Sequence, residues 1–511
     1  MVNLLPAHIR DAYVGAELAL AATPVPFSLI SNGEYTPKRP SPALRRAKSA
    51  LFEKASETAP RHGVDVQSFL SGPCGFAASF SAMNAAFGDS FAVGASEAED
   101  ADAARAAREA VVRQFVFDDQ VHFLRDDADP EFFKPLTGMI DIAADILNLP
   151  RGSETAVDGI KFENFLKEIY LDSDTDVALL SGAPSDQPEG WMLTNDMMAA
   201  ARAAVNAVVG ERRLLTHAVF SPMHPGWLDE IDRVHETLSP DGWKGYAVGE
   251  PFGPSEYRWR LDDEKVAYPA FEKFLKAGVR NICVHKGLLP EDAEAFMPGA
   301  EPFAKVNDVG QAAKDWPDLN FIIYHAGYRT IPGPTEREVD AFETSGRIDW
   351  VSDLAEIPEQ YGVSNVYADI GAAFAFTVLT HPRLCAGMIG ILAKGLGPDH
   401  IFWGTDSVWY GSPQWQIEAF RRLKMPADLA KKHGFADFGD EASPFRSGVL
   451  GLNAAPFYGV DAADYSKGEK AGKFDQLAEM RARYDAAGGR RTNLAFGYAA
   501  PADDEAGLSD A

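Results

Sequence analysis

The rhythm of apolar and polar positions changes near residue 113. From there on, short apolar runs recur: RQFVFDDQVHF (113–123), DVALLSG (176–182), RLLTHAVF (213–220), GWKGYAVG (242–249), VRNICVHKG (279–287), NFIIYHAG (320–327), NVYADIGA (365–372) and HIFWGTD (400–406). Each has strand length, and a polar loop follows it. Helical segments such as DMMAAARAAVNAVVG (196–210) and YPAFEKFLKAG (268–278) lie between most of them. Repeated β–α units with near-continuous apolar strands predict a parallel sheet buried on both faces. Eight such units in about 340 residues suit an α/β fold of the (β/α)8 barrel type. An open doubly wound sheet is the alternative, weakened because no strand ends in a G-x-G-x-x-G or Walker loop.

Residues 1–112 have no such alternation and read as a helical and extended N-terminal extension that packs on the barrel. Prolines at 24, 26, 37, 40 and 42 punctuate residues 20–43 as an extended arm. A helix is expected over 41–58, with Ser41 as N-cap and Pro42 at the first helical position. One or two small-residue helices are expected over 64–87, and an Ala-rich helix over 96–112, acidic first and basic later. The barrel is placed at 113–460. Residues 461–511 form a third segment, a charged helix within 465–487 and an acidic, disordered end.

Composition narrows the class. Lys+Arg is 48 and Asp+Glu 75, so the formal charge is 48 − 75 = −27, which argues against nucleic acid and anionic membrane as partners. The three cysteines, Cys74, Cys283 and Cys385, form no paired framework, so a reducing compartment is expected. The uncharged stretch 66–88 carries Gln67, Pro73 and Asn84 and is too polar to span a bilayer. It is read as a buried helix and not an export signal. These features together suggest a cytoplasmic protein.

In a barrel of this type the chemistry sits where the strands end. The first run closes on Gln120 and His122, two apart and so on one strand face. The fifth closes on His285 and Lys286, the sixth on His325 and the eighth on Asp406; His224 follows the third. Imidazoles and a carboxylate suit one borderline divalent ion, zinc or manganese. Such an ion activates water or polarises a substrate oxygen. Any one strand-end histidine is more often just hydrogen-bonded; the joint pattern carries the signal. Around it, Arg258 and Arg260 are candidates for a substrate carboxylate, the alternative being pairing with Asp262, Asp263 and Glu264. Lys286, Tyr328 and Trp409 are further substrate-binding candidates, with Arg329 and Tyr410 beside them. Lys244 is expected to be structural or outward-facing, and His224 a turn element.

These residues carry a resemblance. DDQVHF (118–123), NICVHKGL (281–288), FIIYHAGY (321–328), NVYADIG (365–371), HIFWGTDSVW (400–409) and the closing GVLGLNAAPFYGV (448–460) resemble the amidohydrolase superfamily. The branch is the one that includes aminocarboxymuconate semialdehyde decarboxylase and the resorcylate- and vanillate-type decarboxylases. The resemblance implies a single divalent metal held by Gln120, His122, His285 and Asp406. It implies catalysis by Asp406 as proton shuttle and by His325, and a last barrel helix at 448–460. Gln120 departs from the pattern, since the family usually has His or Glu there; an amide oxygen is a neutral, weaker ligand. Two reactions follow as expectations for a small carboxylic-acid derivative. One is hydrolysis of an amide, ester or lactone of a cyclic or aromatic acid. The other is non-oxidative decarboxylation of an aromatic or unsaturated acid. A barrel without metal, serving as a binding or scaffold protein, is the reading from another class. A homo-oligomer is expected.

Overall fold

The computed structural model describes residues 23–27, 40–128, 160–209, 212–251, 253–290, 293–331, 333–465 and 476–487. Most of the expected extended arm and all of the acidic end lie outside these residues.

The eight apolar runs become eight parallel strands joined in sequence order. They are β1 Phe117–Val121, β2 Val177–Leu180, β3 Leu214–Val219, β4 Gly242–Tyr246, β5 Asn281–His285, β6 Asn320–Tyr324, β7 Val366–Asp369 and β8 Ile401–Phe402. The chain beyond β8 closes the sheet on β1: Asp119 N–H donates to the Trp403 carbonyl at 2.8 Å, and Asp406 N–H to the Gln120 carbonyl at 2.9 Å. Closure removes the sheet edges, and the fold is a (β/α)8 barrel. Its strand faces are both buried, which is why the runs read as continuously apolar.

Helices cover the outside. Among them are α4 Asn195–Val209 after β2, α5 Trp227–Leu238 after β3, α6 Tyr268–Ala277 after β4, α7 Val309–Asp315 after β5, α8 Glu336–Ser345 after β6, α9 Gly371–Val378 and α10 Pro382–Gly395 after β7, and α11 Gln414–Arg422 after β8. The expected last barrel helix at 448–460 is not one regular helix. It is a π-turn, Gly448–Leu452, followed by a 3-10 turn, Ala455–Tyr458. Its side chains close the barrel floor, with Ala454 and Tyr458 packed among Phe117, Leu179, Leu215 and Ile322. Asn281, at the start of β5, donates to the Phe457 carbonyl at 2.7 Å.

The extension forms α1 Pro42–Thr58, α2 Gly75–Phe87 and α3 Ala101–Val111, with the short helix Val66–Leu70 between the first two. Ser41 caps α1, accepting from Leu44 N–H, with Pro42 at its first position. The third helix begins later than the composition suggested because Asp100 caps it, accepting from the N–H groups of Asp102 and Ala103. The extension lies against the end of α11: Ala92 N–H donates to the Arg422 carbonyl and Lys424 N–H to the Ser90 carbonyl. At the other end of the chain, the charged segment is helical over Gln476–Ala486 (α12). No helix among the described residues is long and apolar enough to cross a membrane.

Candidate active site

Strand geometry places Gln120, His122, His285, His325 and Asp406 together at the C-terminal mouth of the barrel. Gln120 Nε2 lies 2.9 Å from Asp406 Oδ1 and 3.3 Å from both His122 Nε2 and His325 Nε2. His122 Nε2 is 3.1 Å from Asp406 Oδ1, and His325 Nε2 is 3.1 Å from His285 Nδ1. His325 and Asp406 both adopt left-handed backbone, with φ of 60° and 58°. Such φ values in non-glycine residues are uncommon and concentrate at functional sites.

The hydrogen bonds fix the tautomers. His122 Nδ1 donates its proton to the Ser181 carbonyl at 2.7 Å, which turns Nε2 toward the cluster. His325 Nδ1 accepts from Ala372 N–H at 3.2 Å, which puts its proton on Nε2. Burial, with Lys244 adding to it, holds His285 well below the ordinary imidazole range. Burial does the same to His325, helped by His285 and Lys244. Both rings are therefore neutral near pH 7.

A second polar layer lies beneath. Lys244 points into the barrel, fully buried, not outward as its polarity suggested. Its Nζ has no hydrogen-bond partner and sits 3.4 Å from the centre of the Tyr324 ring. Desolvation pulls its pKa down to about 7, opposed by Cys283, Asp406, Asp369 and Asp119. Asp119 and Asp369 are fully buried and close to each other; burial and the Asp369 charge push the Asp119 carboxyl well up, so a proton stays between them. Asp369 Oδ1 accepts from His325 N–H at 3.2 Å. Asp118 ties β1 to the strand-8 end, accepting from Thr405 N–H at 3.0 Å and from the Thr405 hydroxyl; burial lifts its pKa to about 8.

The basic clamp expected around this site is not assembled. Arg258 donates to the Pro298 carbonyl, and Arg260 forms a bidentate pair with Asp262 at 2.8 Å. Lys286 turns away from the mouth and pairs with Asp308 at 2.7 Å, both side chains fully buried. The reason is the strand alternation that aims His285 inward and its neighbour outward. Tyr328 is buried in the apolar core outside the barrel, 2% exposed. Arg329 lies 3.9 Å from Glu338, Tyr410 packs edge-on against Phe376, and His224 packs at a tilt against Tyr257. Trp409 does reach the cluster, stacking on His122 with centroids 5.9 Å apart. Sequence reasoning missed Asp369, although the rule that selected the histidines, a polar residue ending a strand, selects it too.

The residues fit a divalent ion in kind. His122 Nε2 and Asp406 Oδ1 are two acceptors 3.1 Å apart, aimed at one place, and the buried Gln120 Oε1 has no partner. The arrangement itself is not that of a ligand shell: among the described residues, no three His, Cys, Asp or Glu side chains are set to hold a metal. The Gln120 amide nitrogen stands where the acceptors converge.

No protein-family model and no curated protein matches the sequence. Solved structures do resemble it in fold. One is 5-carboxyvanillate decarboxylase from Sphingomonas paucimobilis, 15% identical over 68% of this chain and 100% of that chain, with a TM-score of 0.39. Another is an uncharacterized TIM-barrel protein from Bordetella bronchiseptica, 12% identical over 67% and 98%, TM-score 0.42. A third is a probable 2-pyrone-4,6-dicarboxylic acid hydrolase from Acinetobacter baumannii, 11% identical over 67% and 99%, TM-score 0.37. Likeness at this level of identity shows the fold alone.

Proposed function

We propose that the chain is a metal-dependent hydrolase of the amidohydrolase superfamily, acting on an amide, ester or lactone of a small cyclic or aromatic acid. The observation that carries this reading is the convergence of Gln120, His122, His285, His325 and Asp406 at the strand ends. His122, His285, Asp406 and the carboxamide of Gln120 would hold the ion, zinc or manganese. When bound, the ion supplies a water of lowered pKa and polarises a carbonyl oxygen.

The protein groups divide the remaining work. Asp406, nearly buried at the mouth, takes the proton of the attacking water and returns it to the leaving group. His325, with its proton on Nε2, donates toward the oxygen that gains charge. Asp369 Oδ1 accepts from its backbone N–H and Ala372 N–H donates to its Nδ1, so the donor is placed in advance. Non-oxidative decarboxylation is the second reading. It would need an acid to protonate the carbon that loses CO2, and the Nε2–H of His325 is a donor at the mouth.

A panel of lactones, esters, amides and aromatic carboxylates tests both readings. Acid release followed by pH-stat, abolished by chelator and restored by zinc or manganese, supports hydrolysis. Release of CO2 under the same dependence supports decarboxylation. Turnover untouched by chelator removes the metal from the mechanism. No turnover and no bound metal favours the binding-protein reading.

A further inference from the structure

We propose that the Tyr246 hydroxyl is a substrate-binding donor of this site, holding a carboxyl oxygen of an aromatic acid at the barrel mouth. The inference names the substrate class of the reading above and rests on that reading.

Strand parity puts the residue there. Gly242, Lys244 and Tyr246 share the inward face of β4, and Tyr246 is the last of them, level with His285 in the ladder. Its ring lies nearly parallel to the His285 ring, with centroids 5.0 Å apart and 20° between the planes. From the layer beneath, Lys244 Nζ comes within 4.9 Å of the ring centre. The backbone is fixed from the helix side. Trp259 Nε1 donates to the Tyr246 carbonyl at 2.9 Å, and Trp259 N–H to the Ala247 carbonyl at 3.0 Å. A Cβ on Gly245 would meet Trp259 Cζ2 at 2.7 Å, so the strand lies directly against the indole. The tryptophan between Arg258 and Arg260 thus holds the strand end, while the two arginines bond elsewhere.

What the fold leaves unmet is the hydroxyl. Tyr246 is 5% exposed. Its phenol feels burial and the charge of Asp406, but no hydrogen bond from any described residue. Burying a hydroxyl without a partner is unfavourable, and phenylalanine would make the same ring stack without that penalty. A partner that arrives at the mouth accounts for it. An ordinary phenol keeps its proton at neutral pH and donates it to an oxygen acceptor. Tyr246 on His285 and Trp409 on His122 also flank the cluster with aromatic rings. An aromatic acid carries both an oxygen for the hydroxyl and a flat face for the rings.

The test uses full-length protein supplied with Zn2+, with benzoate as the probe followed by titration calorimetry. Tyr246→Phe keeps the ring on His285 and removes only the donor. It should bind benzoate roughly tenfold more weakly than the parent, or worse, the loss expected for one hydrogen bond to a charged group. Its Zn2+ affinity should match the parent's. Its melting midpoint without benzoate should not fall, because no bond within the fold is lost. Equal benzoate affinity in the two proteins overturns the proposal, and so does a parent that binds Zn2+ but no benzoate; both leave the metal-dependent reading standing. A variant that loses Zn2+ affinity and melting midpoint along with benzoate overturns it too, since the hydroxyl would then serve the fold. If the parent takes up neither Zn2+ nor benzoate, both are overturned.

Discussion

In the proposed reaction Asp406 would answer two demands at the mouth of the barrel: an anionic partner for the cation, and a base for the reacting water. Asp406→Asn keeps the shape and removes both. Turnover should fall by roughly 10³-fold or more, since general-base catalysis alone contributes 10²–10⁴. Metal retained after dialysis should fall with it, measured by elemental analysis. An Asn variant with parental turnover would dismiss Asp406 from the chemistry. Lys244 makes a second prediction at this scale. Its folded pKa, about 7, is below the unfolded value, so between those values the unfolded chain binds more protons. Stability contributed through this group therefore rises as pH rises from about 7 toward 10. Relative to Lys244→Met, the parent should gain about 1 kcal/mol per pH unit across that window, read from urea unfolding at each pH. A pH-independent difference would show that Lys244 keeps its proton in the fold. The inward turn of this lysine was not legible in the sequence. In a closed barrel both strand faces are buried, so polarity does not reveal parity; Trp243, stacked on Phe274 of α6, takes the outward side. The strand-end histidines were legible because position along the strand, not side-chain polarity, selected them.

Helices and loops succeed or fail as sequence readings according to how local their determinants are. Ser41–Pro42 sets the start of α1 locally and was legible, whereas Asp100 starts α3 later than the composition over 96–112 suggested. The partners of the expected substrate-binding cations show the same division. Arg260 meets Asp262 two residues away, whereas Lys286 meets Asp308 across a whole β–α connection. A buried ion network is the clearest case of non-local determination. Arg108 of α3 pairs with Asp174 and reaches Glu418 of α11 at 3.3 Å; Arg421 reaches Asp174 at 2.7 Å, and Arg422 pairs with Glu97. Buried charges stay favourable only while every partner is present, so Glu418→Gln should cost about 3 kcal/mol in unfolding free energy. Burial alone would raise the Glu418 carboxyl, but Arg421, Arg422 and Arg108 outweigh it and hold it below the usual range. A lowered folded pKa means the contribution is full above the unfolded value, near 4.3, and is lost as pH falls through the folded one. The parent should thus lose stability in acid more steeply than Glu418→Gln, the two curves converging. Parallel curves would mean that Glu418 is not charged in the fold.

At the scale of the whole molecule, the open question is whether residues 113–460 stand alone as a barrel or need the 112 residues before them. The physical argument favours need. Phe69, Leu70, Phe80 and Met83 of the extension are buried in the same apolar cluster as Phe420 and Leu423 of the barrel. At roughly 1.5–3 kcal/mol for each such side chain, these four alone approach the 5–15 kcal/mol that stabilises a typical domain. Removing them also strips Glu97 from Arg422 and Arg108 from Asp174, leaving charges buried with fewer partners. A chain beginning at residue 113 should therefore be insoluble, or melt well below the full-length protein. The loss should come from the missing surface and not from the site, whose five residues all lie beyond the cut. Supplying residues 1–112 as a separate chain during expression should restore solubility in part, because the interface needs contact and not covalent continuity. Soluble yield, melting midpoint and turnover of the two preparations decide it. A soluble, fully active truncate with the parental midpoint would make the extension an appendage and the barrel a self-sufficient domain.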